Sequence, residues 1–206
     1  MVIEKIHYHL NESIKKRLRN YPIIADFYIK TQKENLDQLG QLDILLEKEN
    51  KIDFDLNSNS IAILFSGGID SSILAYFIAS NIPIELGINL DLVNISFGKG
   101  APDRNSGLIA YYELKKIFPH KIINLILVDK DYEDVLNKEK EIMSLIYPKE
   151  THMDFNISTA LNLATKMEGY LLDSQSFISY MDDYIDKIFE IEAKNVNNEL
   201  NINFIT

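Results

Sequence analysis

The stretch IAILFSGGIDSSILAYF, residues 61–77, decides how this chain is read: an apolar run ends in Ser66-Gly67-Gly68, and an acid and two serines follow Ile69. The apolar run over 61–65 predicts a strand and residues 70–80 predict a helix, so the glycine pair sits where one hands over to the other. Glycines there can take positive φ and bring backbone amides against a ligand, while the helix start leaves its first N–H groups unpaired. Such a junction suits an anion, most naturally a phosphate. Ser66, Ser71 and Ser72 add hydroxyls around the same spot. Asp70 would repel a polyphosphate unless a divalent cation lay between them, so the acid predicts Mg²⁺ held by one carboxylate and by phosphate oxygens. The same residues also read as ordinary capping, with Asp70 as an N-cap. The chain has no G-x-x-x-x-G-K-[ST], and no G-x-G-x-x-G follows a strand, so neither of those phosphate loops is present.

Working outward, the pattern alternates. LDLVNISF at 90–97 predicts a second strand, 104–117 a helix, KIINLILV at 121–128 a third strand, and DYEDVLNKEKEIMSLI at 131–146 another helix. Apolar strands alternating with helices predict an α/β domain, a parallel sheet with helices on both faces, and ligands at the carboxyl ends of its strands. Residues 155–167 and 174–190 also read as helical. Upstream, Ile3, Ile6, His7, Leu10, Ile14 and Leu18 form the stripe of an amphipathic helix, on which His7 is a packed histidine rather than a ligand. A second helical pattern carries Ile24, Phe27 and Tyr28, then Leu36, Leu39, Leu42, Leu45 and Leu46 among charges. The expected organisation is therefore a helical N-terminal extension over 1–48, a polar linker over 49–60, the main domain over 61–192, and an Asn-rich disordered tail over 193–206. The extension would either pack on the main domain or offer a surface to a partner protein.

The composition narrows the function classes. With 206 residues, 46% apolar and 25% charged, the chain fits one well-buried domain. A net charge of −10, with no basic patch beyond the KKRLR segment, argues against nucleic acid as a partner. No apolar run reaches the roughly 18 residues a membrane span needs, and no signal-peptide core opens the chain, which predicts a cytoplasmic protein. Cysteine is absent, which removes thiolate metal sites, persulfide chemistry and a cysteine nucleophile.

The SGGIDSS string resembles the pyrophosphate loop of the N-type ATP pyrophosphatases, which include asparagine, NAD and GMP synthetases. The segment LDLVNISFGKGAPDRNSGLIAYYELKKIFP, residues 90–119, is similar to the second strand and Ser-Pro-Asp loop of asparagine synthetases. The fit is closer to the eukaryotic asparagine synthetase domain-containing proteins, which LNESIKKRLRN and YPKETHMDFNISTALNLATKMEGYL (147–171) also resemble. The resemblance implies an adenine-nucleotide α-hydrolase-like fold and an ATP-dependent ligase that amidates aspartate to asparagine, releasing AMP and pyrophosphate. Carried over, it assigns Ser66, Gly67, Gly68, Asp70, Ser71 and Ser72 to the pyrophosphate of ATP, with Asp70 on Mg²⁺.

By the same resemblance, Phe65, Ser96 and Phe97 fall where the family contacts adenosine, although both phenylalanines read equally as core. Asp103 matches the acid of the Ser-Pro-Asp loop and reads first as the N-cap of a helix from Arg104. Arg104 and Lys99 are the nearest cations for a phosphate. Thr151, His152 and Asp154 lie where a third loop could close over the site, and read more simply as a cap.

The resemblance also implies parts that do not appear. No cysteine is available for a glutaminase, so nitrogen would come as ammonia, free or supplied by another polypeptide. The family's Ser-x-Gly-x-Asp-Glu segment has no counterpart; beyond residue 150 the sole glycine is Gly169, and no acid pair follows it. The domain is expected to be incomplete at its C-terminus, with no catalytic residue assignable. The alternatives are a catalytically degenerate nucleotide-binding or interaction module of the same fold and, more remotely, another amidating member such as an NAD synthetase.

Overall fold

The computed structural model describes residues 2–27, 60–98, 101–149, 151–166 and 168–186. Residues 49–59 of the expected linker, Tyr28, the Leu36–Leu46 pattern, Lys99 and the Asn-rich tail lie outside the described residues, and Ser60 begins a strand. Three parallel strands form the centre: β1 (Ser60–Leu64), β2 (Asn89–Phe97) and β3 (Ile123–Lys130). They pair in register with Leu64 opposite Val93 and Ser96 opposite Asp129. Helix α1 (Val2–Leu18) precedes β1, α2 (Ile69–Asn81) joins β1 to β2 and α3 (Pro102–Ile117) joins β2 to β3, followed by α4 (Tyr132–Ile146) and α5 (His152–Thr165). A last helical run covers 174–186.

The sheet order is β1-β2-β3-β4, and the short β4 (Tyr170–Leu171) pairs antiparallel with β3. An all-parallel sheet was the expectation, and Gly169 shows why the chain reverses. A Cβ there would lie 2.3 Å from the Leu127 carbonyl oxygen, so the backbone enters directly against β3 and returns alongside it. The carbonyl of Leu125 then accepts from the N–H of Leu172 at 2.9 Å.

Alternate residues of each strand supply the two faces. On one, Ile63, Phe65, Leu90, Leu92, Ile123 and Leu125 pack with Ala75, Ile78 and Ala79 of α2 and with Tyr111 and Leu114 of α3. Each large side chain buried this way contributes about 1.5–3 kcal/mol of transfer free energy. On the other, Val93 and Val128 lie under Ala164 of α5, with Ile95 and Ile126 alongside, and α4 packs on α5. Helices thus cover both faces, as the apolar strands require.

The N-terminal helix is part of this packing. Leu18 and Ile24 belong to the main core, Tyr21 donates its hydroxyl to the Ser60 carbonyl at 3.1 Å, and α1 lies against α2. His7 sits edge-on to Phe77, ring centres 4.9 Å apart, but it is exposed rather than packed as its stripe suggests. Helix starts differ slightly from the sequence pattern for local reasons. Pro102 opens α3 because its fixed φ suits the first helical position. Thr151 opens α5 at His152 because its hydroxyl caps the N–H of Asp154, at 3.1 Å.

Candidate functional site

β1 ends at the carboxyl edge of the sheet, and Phe65–Gly68 carry the chain from it into α2. Gly67 has φ +79°, and a Cβ on it would lie 2.2 Å from the Ser106 carbonyl carbon and 2.3 Å from the Gly107 nitrogen. No other residue type fits there: the loop rests on the backbone of α3, in a conformation that disfavours side chains. Gly68, expected to share that conformation, has φ −69° and serves as the N-cap of α2. It brings no side chain to the cap, and the N–H groups of Ile69, Asp70 and Ser71 have no partner among the described residues.

Ser66 and Ser71 face this mouth. The Gly68 N–H donates to Ser66 Oγ at 3.3 Å, Ser71 Oγ donates to the Gly68 carbonyl at 3.0 Å, and the two hydroxyl oxygens are 3.3 Å apart. Asp70 is exposed on the first turn, where a negative charge suits the helix dipole, and its carboxylate holds no partner among the described residues. It is not the N-cap. A carboxylate left free beside unpaired amides fits the expected Mg²⁺ contact. Among the described residues no group of three or more His, Asp or Glu side chains could hold a metal unaided, so the cation would arrive with its phosphate oxygens.

Ser72 is a correction. Its hydroxyl is buried with no hydrogen-bond partner among the described residues and lines an apolar groove of about 520 Å³ between α1, α2 and α3, among Ile6, Leu10, Ile73 and Ile117. One residue along a helix rotates a side chain by about a quarter turn, enough to move Ser72 off the rim that Ser71 occupies. Phe65 is 1% exposed within the core, so its side chain takes the packing role. Ser96 is buried and donates to the Gly98 carbonyl at 3.2 Å, while the neighbouring Phe97 is 40% exposed at the end of β2.

Asp103 does not cap α3. The N-cap is Ala101, and Asp103 lies in the first turn with its carbonyl, not its carboxylate, tied into the structure. Arg104 is not a free cation either. Its guanidinium donates to the Asn94 carbonyl at 3.2 Å, to Asn94 Oδ1 at 2.6 Å and to the Val128 carbonyl at 3.1 Å, and it pairs with the Asp129 carboxylate. These partners pin α3 to β2 and β3 and occupy both terminal nitrogens of the guanidinium. Thr151 and Asp154 bond to each other across the α5 cap, 2.6 Å between hydroxyl and carboxylate, which is the simpler of their two expected roles. His152 is exposed on the same turn.

Asn94 is the residue the sequence reading missed. It is fully buried on β2, and its side-chain amide donates to the Phe65 carbonyl at 2.8 Å and to the Asp103 carbonyl at 3.0 Å. The available signal was a single Asn inside the apolar run LDLVNISF, together with a glycine, Gly107, inside a helix. Beyond it, Ser96, Arg104, Asp129, Lys130, Asp131 and Asp134 surround a second cavity of about 530 Å³ at the ends of β2 and β3. Both cations there are paired, Arg104 with Asp129 and Lys130 with Glu168 at 3.4 Å, so the cavity is acidic on balance.

The sequence is similar to those of several asparagine synthetase domain-containing proteins. An asparagine synthetase domain-containing protein of Saccharomyces cerevisiae is 29% identical over 133 residues, 56% of this chain and 24% of its own length. One from Drosophila melanogaster is 29% identical over 172 residues, 78% of this chain and 27% of its own. Asparagine synthetase domain-containing protein 1 of Mus musculus is 24% identical over 216 aligned residues, 82% of this chain and 32% of its own.

The chain is distantly homologous to eukaryotic asparagine synthetase domain-containing proteins. It spans about a quarter to a third of the length of these curated relatives. No family model matches the sequence, and no solved structure matches the fold. Among the described residues of this asparagine synthetase-like chain, no helix is long and apolar enough to cross a membrane.

Proposed function

We propose that the Ser66–Ser71 loop binds the pyrophosphate end of ATP with Mg²⁺, in support of the amidation of aspartate. The observation that carries this reading is Gly67. Its positive φ and its seat on the α3 backbone hold the loop open at the strand end, with three α2 amides unpaired and two hydroxyls beside them. Unpaired amides at a helix start are pre-oriented donors for phosphate oxygens and need no reorganisation on binding. Mg²⁺, when bound, would neutralise charge on the leaving pyrophosphate, and Asp70 is the residue placed to hold it.

In the family's reaction the β-carboxylate of aspartate attacks the α-phosphate, pyrophosphate leaves, and ammonia then displaces AMP from the acyl adenylate. This chain's share would be orientation of the triphosphate and stabilisation of the departing charge by the loop amides, Ser66 and Ser71. Ammonia, free or supplied by a partner polypeptide, is the nitrogen source this reading calls for.

One observation favours a second reading, a nucleotide-binding module without turnover: Arg104 and Lys130, the cations at the ends of β2 and β3, are paired with Asp129 and Glu168. Calorimetry with ATP and Mg²⁺, run beside a pyrophosphate-release assay with aspartate and ammonia, separates the two. Binding that disappears in Asp70→Ala, together with pyrophosphate release, supports the ligase; the same binding without release supports the module. No binding at millimolar ATP would sink both.

A further inference from the structure

We infer that Asn94 is the positioning residue of the Ser66–Ser71 loop, setting the direction in which the chain leaves β1; its role in ligand binding rests on the nucleotide reading given above. Asn94 lies on the same face of β2 as Leu90 and Leu92, and a third apolar side chain would serve packing there equally well. A buried amide is costly unless paired, and this one is paired throughout. Its two protons go to the Phe65 and Asp103 carbonyls, at 2.8 and 3.0 Å, and its oxygen accepts from Arg104 at 2.6 Å.

The three partners belong to two pieces of chain, neither of them β2 itself. Phe65 is the residue before the loop, and its N–H is already fixed by the Val93 carbonyl at 2.7 Å. The Asn94 amide fixes the opposite side of the same residue, so Phe65 has no freedom to swing the glycines. Asp103 and Arg104 form the first turn of α3. Two glycines then close the arrangement. A Cβ on Gly107 would lie 2.4 Å from Asn94 Nδ2, and a Cβ on Gly67 would strike the backbone at Ser106 and Gly107. The loop and Asn94 therefore bear on the same turn of α3, and a shift of the amide is transmitted to both ends of the loop.

The test compares wild type with Asn94→Asp and with the double variant Asn94→Ala/Gly107→Ala. The aspartate keeps the shape and the Arg104 contact but presents an oxygen to two carbonyls. In the double variant the new methyl at 107 occupies space the amide has vacated. Amide resonances of Gly67, Gly68 and Ser71 are followed by nitrogen-edited NMR, affinity for ATP with Mg²⁺ by calorimetry, and folding by the thermal midpoint. The expected result, in whichever variant is folded at the assay temperature, is displaced loop resonances and at least tenfold weaker ATP binding.

Unchanged loop resonances with affinity within twofold of wild type in a folded variant would overturn the assignment, leaving Asn94 a structural residue only. If wild type itself binds no ATP, the nucleotide reading fails, and the loop resonances still decide the positioning role. Should neither variant fold, wild type titrated with pyrophosphate and Mg²⁺ decides. The Asn94 side-chain amide must then shift together with Gly67, and a stationary amide beside a moving Gly67 overturns the inference.

Discussion

Ser71 and Ser72 are neighbours on α2, yet they open onto opposite surroundings. Ser71 joins Ser66 and Gly68 in a polar mouth where amides, hydroxyls and the Asp70 carboxylate stand ready for an anion and its cation. Ser72 looks into the apolar groove between α1, α2 and α3, where its hydroxyl has no partner among the described residues. The groove and the cavity at the ends of β2 and β3 are nearly equal in volume, about 520 and 530 Å³. Size alone therefore does not mark a functional site in this fold. What separates the regions is the state of the polar groups: available at the α2 mouth, paired around Arg104, and nearly absent from the groove.

Gly67→Ala strikes that distinction hardest. Positive φ and contact with the α3 backbone together should cost on the order of 3 kcal/mol, seen as a lower chemical-denaturation midpoint, with ATP binding lost. A variant that kept both would break the claim that the mouth is built by Gly67.

Tyr111→Phe probes α3, which underlies both regions. Its hydroxyl donates to the Ile123 carbonyl at 3.2 Å, and its loss should cost about 1 kcal/mol. Burial holds the Tyr111 phenol above the ordinary tyrosine value of 10.0. The unfolded chain therefore ionises first, and the stability present below pH 10 falls as pH rises toward the folded value. The phenylalanine variant should show a flatter alkaline limb in denaturation curves taken above neutral pH.

The serine pair sharpens the contrast directly. Ser71→Ala should weaken ATP binding about fivefold, the worth of one hydrogen bond of about 1 kcal/mol. Ser72→Ala should leave affinity unchanged and raise stability by about 0.5 kcal/mol, because it removes a buried hydroxyl that has no partner. Equal effects of the two on calorimetric affinity would erase the difference between the two sides of α2. The smallest effect is expected from Asp70→Ala on stability: the thermal midpoint should move by no more than about 0.5 kcal/mol implies, since the carboxylate holds no partner among the described residues.

The strand-to-glycine-to-helix junction was legible because Gly67 and the apolar run before it speak through local rules of backbone freedom and periodicity. The alternation that followed gave the parallel core for the same reason. Ser72 was misplaced because residue type says a hydroxyl can bind phosphate, while only the helix phase says which way it points. Asp103 was misjudged because Pro102 took the first helical position ahead of it. Arg104 looked free because its acceptors come from β2 and β3, and Asn94 was missed because its partners lie just past β1 and in α3. Pairings between segments distant in sequence leave little trace in any one of them. The antiparallel β4 depends on a packing contact between Gly169 and Leu127, which no local pattern announces.

The close fit between Gly107 and the Asn94 amide gives this fold a direction of change. A lineage that first replaced Asn94 by a smaller residue would free Gly107 to vary, whereas one that first enlarged Gly107 would pass through a collision with the amide, 2.4 Å from the added carbon. The two positions can drift apart in one order only, so the history of the site would be written first at residue 94.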